Sequence, residues 1–137
     1  MNLPIEGGCL CGAVRYRISA EPHDAGYCHC RMCQRSTGAP AVAWLTMASA
    51  GFAWIRGTPT AYRSSPGAER LFCPTCGTQL VFREPGEPDY LDVTLASLDD
   101  PEAVRPDHHV WTTSRIGWLD IRDDLPRHPE RGPDPTG

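Results

Sequence analysis

Seven cysteines in three tight groups constrain this chain more than any other feature. Cys9 and Cys11 form CxC, Cys28, Cys30 and Cys33 form CxCxxC within CHCRMC, and Cys73 and Cys76 form CxxC within FCPTCG. Packing a strand or a helix does not call for thiols at such spacing. A chelating loop does, because sulfurs one or two residues apart reach a single ion from two sides. The N-terminal MNLPIEGGCLCG has neither a basic n-region nor an apolar h-region, and no later apolar run approaches the length of a membrane span. The protein is therefore expected to be soluble and cytoplasmic, with no membrane partner. A reducing compartment keeps thiols free, and an odd number cannot pair fully, so metal binding is preferred to a disulfide framework and to cysteines used as small buried hydrophobes.

The spacing leaves two ligand partitions open. Cys9, Cys11, Cys73 and Cys76 can close a four-thiolate structural zinc site, leaving Cys28, Cys30 and Cys33 to hold a second zinc with its fourth position free for substrate. Alternatively, Cys30 and Cys33 pair with Cys73 and Cys76 as a zinc ribbon, with Cys9, Cys11 and Cys28 left over. His29 is a further candidate to close the triplet site, although a residue between two ligands more often points its side chain away.

A chain of 137 residues fits one domain with one modest core, and 14 Pro and 13 Gly favour short strands and turns over long helices. The expected fold is mainly β, with little helix. In AVRYRI, Val14, Tyr16 and Ile18 alternate with Arg15 and Arg17, the pattern of a half-buried strand. Further strands are expected at 39–47, 52–56, 60–63, 69–72, 78–82, 90–96 and 108–111. A turn of helix is expected after Cys33 or near Asp99, where Asp99 or Asp100 can cap a turn containing Pro101 and Glu102. The domain is expected to span 1–126. RHPERGPDPTG is too polar and too rich in Pro and Gly to offset its ordering entropy, so 127–137 is expected to be a disordered tail.

The net charge of -4 and pI of about 5.7 provide no field for nucleic acid, which makes it an unlikely partner. All 13 basic residues are Arg, a bias that carries no function by itself.

In order, GGCLCGAVRY, CHCRMCQRSTGAP, FCPTCGTQL and HHVWTTSRIGWLDIRDDLP resemble the glutathione-dependent formaldehyde-activating enzyme family, also called the CENP-V/GFA domain. The similarity runs from about Gly7 to Pro126. It implies a zinc-stabilised β-tent of short antiparallel strands and two zinc ions per chain. Cys9, Cys11, Cys73 and Cys76 match the family's structural zinc site, and Cys28, Cys30 and Cys33 its catalytic one. The implied activity is that of a carbon-sulfur lyase or synthase acting on a small thiol and an aldehyde or their adduct, such as S-(hydroxymethyl)glutathione, with glutathione as possible co-substrate. Three thiolates outweigh a divalent cation by one charge, which suits a soft sulfur ligand better than activation of a hard carbonyl.

Such chemistry benefits from a proton carrier, for which His29, His108 and His109 are candidates. On a strand, His108 and His109 face opposite ways, so at most one reaches a given pocket. Arg31, Arg35 and Arg115 are candidates to clamp a carboxylate. QRSTG after Cys33 is a candidate substrate-facing loop, or else a turn or short helix cap. Trp44, Trp54, Trp111 and Trp118 read as core and pocket walls. The competing class is a noncatalytic zinc module that binds protein or nucleic acid. Methionine sulfoxide reduction fits less well, because its zinc site uses two CxxC pairs and a separate redox cysteine.

Overall fold

The computed structural model describes residues 2–132. Its elements are β1 (Ile5–Gly8), β2 (Arg15–Ile18), β3 (Asp24–Cys28), α1 (Arg31–Thr37), β4 (Val42–Ala48), β5 (Phe52–Arg56), β6 (Thr60–Ser65), β7 (Ala68–Phe72), β8 (Gln79–Arg83), β9 (Tyr90–Thr94) and β10 (His108–Val110). Strands β1, β2 and β5 form a three-stranded sheet, and the rest form a seven-stranded sheet in the order β10-β3-β4-β9-β8-β7-β6. All pairs are antiparallel except β10 on β3. The mainly β expectation is met, with that one parallel pair added.

The alternation from Val14 through β2 does what its pattern implies. Val14, Tyr16 and Ile18 are fully buried, packing with Leu45, Met47, Leu80 and Val93 in the main core. Each such aliphatic side chain contributes about 1.5–3 kcal/mol on leaving water. On the other face Arg15 is held by Asp99 at 2.8 and 2.5 Å and Arg17 by Glu6 at 2.9 Å. These two arginines are thus committed to acidic neighbours rather than displayed as a basic stripe.

Two strands escape the sequence pattern. β1 ends in two glycines, and an added Cβ on Gly7 would lie 2.3 Å from the Tyr16 hydroxyl. β3 is DAGYC, with Gly26 at its centre, a composition of low strand preference. Helix α1 begins at Arg31, before Cys33, because Cys30 caps it: the Cys30 Sγ accepts the Cys33 N–H at 3.3 Å. It ends at Gly38, whose φ of 73° is the left-handed conformation glycine adopts freely. QRSTG is therefore mostly helix: Ser36 and Thr37 donate their hydroxyls to the Cys33 carbonyl. Near Asp100 the chain makes a turn but no helix, with Asp100 Oδ1 accepting the Glu102 N–H at 3.0 Å.

The disordered-tail expectation for 127–137 is corrected over 127–132. This segment lies along β10, the His128 N–H donating to His109 O and the Trp111 N–H to Glu130 O, both at 2.9 Å. Backbone pairing supplies the ordering that composition alone does not. Residues 133–137 lie outside the described residues. Trp118 is a second correction: it is 75% exposed and walls neither core nor cleft.

Candidate metal centres and cleft

Cys9 and Cys11 lie in the turn between β1 and β2, and Cys73 and Cys76 in the turn between β7 and β8. Both turns close tightly, Gly12 N–H donating to Cys9 O at 3.1 Å and Gly77 N–H to Cys73 O at 2.9 Å. Gly12 and Gly77 have φ of 79° and 80°, a requirement that glycine meets. The four sulfurs lie within 4.8 Å of one another, with Cys9 to Cys11 at 3.6 Å and Cys11 to Cys73 at 3.8 Å. A tetrahedral ion with metal–sulfur bonds of about 2.3 Å has sulfur–sulfur edges of about 3.8 Å, so the set fits such an ion. Backbone N–H groups of Val14 and Thr75 point at the Cys9 and Cys73 sulfurs. Hydrogen bonds from Thr78 hold the Cys76 thiol down, to about 5. Because the two turns belong to different sheets, an ion here ties the three-stranded sheet to the seven-stranded one.

Cys28, Cys30 and Cys33 form a separate cluster, their sulfurs also within 4.8 Å of one another. The ribbon pairing of Cys30 and Cys33 with Cys73 and Cys76 does not form. Cys28 ends β3, Cys30 is the cap of α1 and Cys33 sits in its first turn, so one strand-to-helix junction gathers all three. Hydrogen bonds from Cys28 and Cys33 pull Cys30 down to about 2, while the Cys28 thiol is pushed up chiefly by sharing its proton with Cys30. The cluster opens on a cleft of about 720 Å³, within the usual range of small-molecule sites, walled by Trp44, Phe82 and Trp111.

The three candidate histidines separate as strand alternation requires. His108 lines the cleft, with Nδ1 2.5 Å from Asp107 Oδ1, while His109 faces the opposite side. His109 Nε2–H donates to Asp123 Oδ2 at 3.0 Å, and its Nδ1 receives a hydrogen bond from His29 Nε2–H at 2.9 Å. That order of donors leaves His29 Nδ1 as a buried acceptor without a partner. Burial lowers the pKa of His29, so its ring stays neutral. His29 thus turns toward His109 and does not join the three sulfurs. The chain from Asp123 through His109 to His29 anchors the cysteine loop to the C-terminal segment.

Of the expected carboxylate clamps, Arg31 lines the cleft and Arg35 a second cavity, while Arg115 is occupied by the carbonyls of Ile116 and Leu119. Sequence reasoning missed Arg70. It is 4% exposed, lines the cleft, and directs both terminal nitrogens at Cys33 Sγ, each at 3.7 Å. Its position in β7, two residues after a buried alanine and next to Leu71, carried no signal that distinguished it from a surface arginine. Gln34, equally unremarked, donates to the carbonyls of His29 at 2.7 Å and Ser114 at 3.1 Å, bracing the loop.

Fold and clusters together define a small β protein with two sulfur centres suited to metal, one joining its sheets and one facing a cleft. Over residues 4–114 the sequence matches the family described as glutathione-dependent formaldehyde-activating enzyme, and the chain belongs to that family. A Halomonas elongata protein provisionally named for the same activity is 30% identical over 128 residues, which cover 85% of this chain and 80% of the relative. An uncharacterized lyase of Schizosaccharomyces pombe is 34% identical over 77 residues, 56% of this chain and 56% of that protein. A crystal structure of a Rhodobacter sphaeroides protein shares the fold, with a TM-score of 0.58 at 23% identity, covering 90% of this chain and 99% of that one.

Proposed function

We propose that this protein is a zinc-dependent carbon-sulfur lyase or synthase that breaks or makes the adduct of a small thiol and an aldehyde, with S-(hydroxymethyl)glutathione as the reference substrate. The observation that carries this reading is the contrast between the two clusters. Four sulfurs surround one centre, whereas among the described residues only three gather at the other, beside a cleft large enough for a small substrate. Family membership and the lyase name of the yeast relative support the reaction class. Cys9, Cys11, Cys73 and Cys76 would hold a structural zinc, and Cys28, Cys30 and Cys33 a catalytic one. Bound by three thiolates, zinc supplies a soft Lewis acid for a substrate sulfur.

The chain's own groups serve the rest of the reaction. His108, with Asp107 holding its Nδ1, is the proton carrier. In cleavage, the hydroxyl proton of the adduct passes to His108, the oxygen–hydrogen electron pair closes the carbonyl, and the carbon–sulfur pair leaves with sulfur. In synthesis, the carbonyl oxygen takes the proton back from His108 as the carbon–sulfur bond forms. Trp44, Phe82 and Trp111 exclude water from the reacting carbon, and Arg31 stands ready for a substrate carboxylate. Among the described residues no helix is long and apolar enough to cross a membrane, and seven free cysteines suit a reducing cytoplasm.

The test is titration of the cobalt-substituted protein with glutathione, followed by visible absorption. A saturable shift that disappears in Cys30→Ser is expected. Two bound metals with no response to any small thiol would refute the reading and favour a noncatalytic zinc module. Cys30→Ser should lose the second metal and activity but keep the fold, whereas Cys76→Ser should destabilise the whole domain. Equal unfolding of the two variants would overturn this division of roles.

A further inference from the structure

Arg70 is a cation in an unexpected place. In the register of β7 on β8 it stands directly opposite Phe82, and its guanidinium carbon lies 5.1 Å from the centre of that ring. Its Nε is buried without a partner. Among the described residues it forms no salt bridge with a carboxylate. An aromatic face and neutral thiols do not compensate for taking a guanidinium out of water, because a buried charge requires an opposite charge nearby. The acceptor that both terminal nitrogens share is Cys33 Sγ, so the counter-ion is the sulfur cluster itself.

We infer that Arg70 is the built-in counter-charge of the three-cysteine centre, and that it reserves the open position for an anionic sulfur ligand over a neutral one. This rests on the reading of that cluster as a zinc site. Three thiolates leave a divalent ion one negative charge in excess, which by itself repels a fourth thiolate. The guanidinium cancels that excess where water is excluded and charges interact strongly. Its two N–H groups also fix the direction of Cys33 Sγ, as partners of metal ligands do elsewhere. Arg70 thus acts as a positioning residue, through Cys33 Sγ.

The test compares wild type, Arg70→Met and Arg70→Lys in cobalt-substituted form. Three quantities are read: metal retention against a chelator at each centre, the dissociation constant for glutathione, and that for imidazole as a neutral ligand. In Arg70→Met, affinity for metal at the three-cysteine centre should fall about 10- to 100-fold while the four-cysteine centre is unchanged. Glutathione should weaken by about 10-fold or more, with imidazole affected far less, and Arg70→Lys should recover most of the preference for thiolate. A purely structural role would instead weaken both ligands alike. Equal losses for glutathione and imidazole, or Arg70→Lys behaving like Arg70→Met, would overturn the inference. A wild-type chain that binds one metal only would refute the zinc-site reading, and the inference with it. Two metals in wild type with an unchanged Arg70→Met variant would overturn the inference alone.

Discussion

Replacing Gly26 with alanine would set a Cβ atom 2.6 Å from both Cε1 and Nε2 of His108, against the 3.5–4.0 Å of an ordinary carbon contact. One of the two must move by about 1 Å. The ring is not free to do so: His108 is buried, Asp107 holds Nδ1, and Gly132 lies close by, where a Cβ would come within 3.2 Å of the ring. Nor can β3 yield easily, since it is paired with β10 on one side and β4 on the other. The cost should match that of overpacking a core, about 1–3 kcal/mol, or roughly 3–10 °C in melting temperature for a chain of this size. The His108→Ala background removes the obstacle, so the same substitution there should cost less than about 0.5 kcal/mol. Urea denaturation of the four proteins in this cycle measures the coupling, and additive losses would refute the packing argument. Activity adds a second reading. His108→Ala should lower turnover by about 10²- to 10⁴-fold while both metals remain bound, as expected for a lost proton carrier.

Three other outcomes follow from particular contacts. Gln34→Leu should cost about 1–3 kcal/mol in urea denaturation, because the carbonyls of His29 and Ser114 lose their donor; an unchanged midpoint would remove Gln34 from the loop's supports. Ending the chain after Pro126 should cost at least about 2 kcal/mol, since it removes the acceptors of Trp111, Thr112 and Thr113 and the Arg127 partner of Asp123; an unaltered melting curve would restore the view of 127–132 as a passive tail. Burial pushes the Tyr16 hydroxyl up to about 12 from an ordinary 10, so its contribution is intact below pH 10 and is lost as pH rises through about 12. That contribution is roughly 3 kcal/mol, and Tyr16→Phe should lack the alkaline loss; parallel pH curves for the two proteins would contradict it.

Much of the fold was legible because its signals are local. Alternation over 14–18 places Val14, Tyr16 and Ile18 inside whatever the rest of the chain does, and Gly12, Gly38 and Gly77 mark turns that need positive φ. β1 and β3 were not legible, since their glycines lower strand preference and are explained only by the Tyr16 and His108 rings that press on them. The ordering of 127–132 was hidden for a similar reason: it comes from backbone groups of β10, which composition does not report.

The candidate site divides along the same line. Cysteine spacing by itself determined that the chain would offer chelating sulfurs, because CxC, CxCxxC and CxxC bring their thiols together within a few bonds of chain. Only the tertiary structure decided how those groups combine, by bringing the β1–β2 and β7–β8 turns together and leaving the β3–α1 junction at a cleft. It likewise decided that His108 rather than His109 faces that cleft, and that Arg70 lies buried against Cys33. Chelation depends on distance along the chain, whereas burial, counter-charge and access depend on which strands lie side by side.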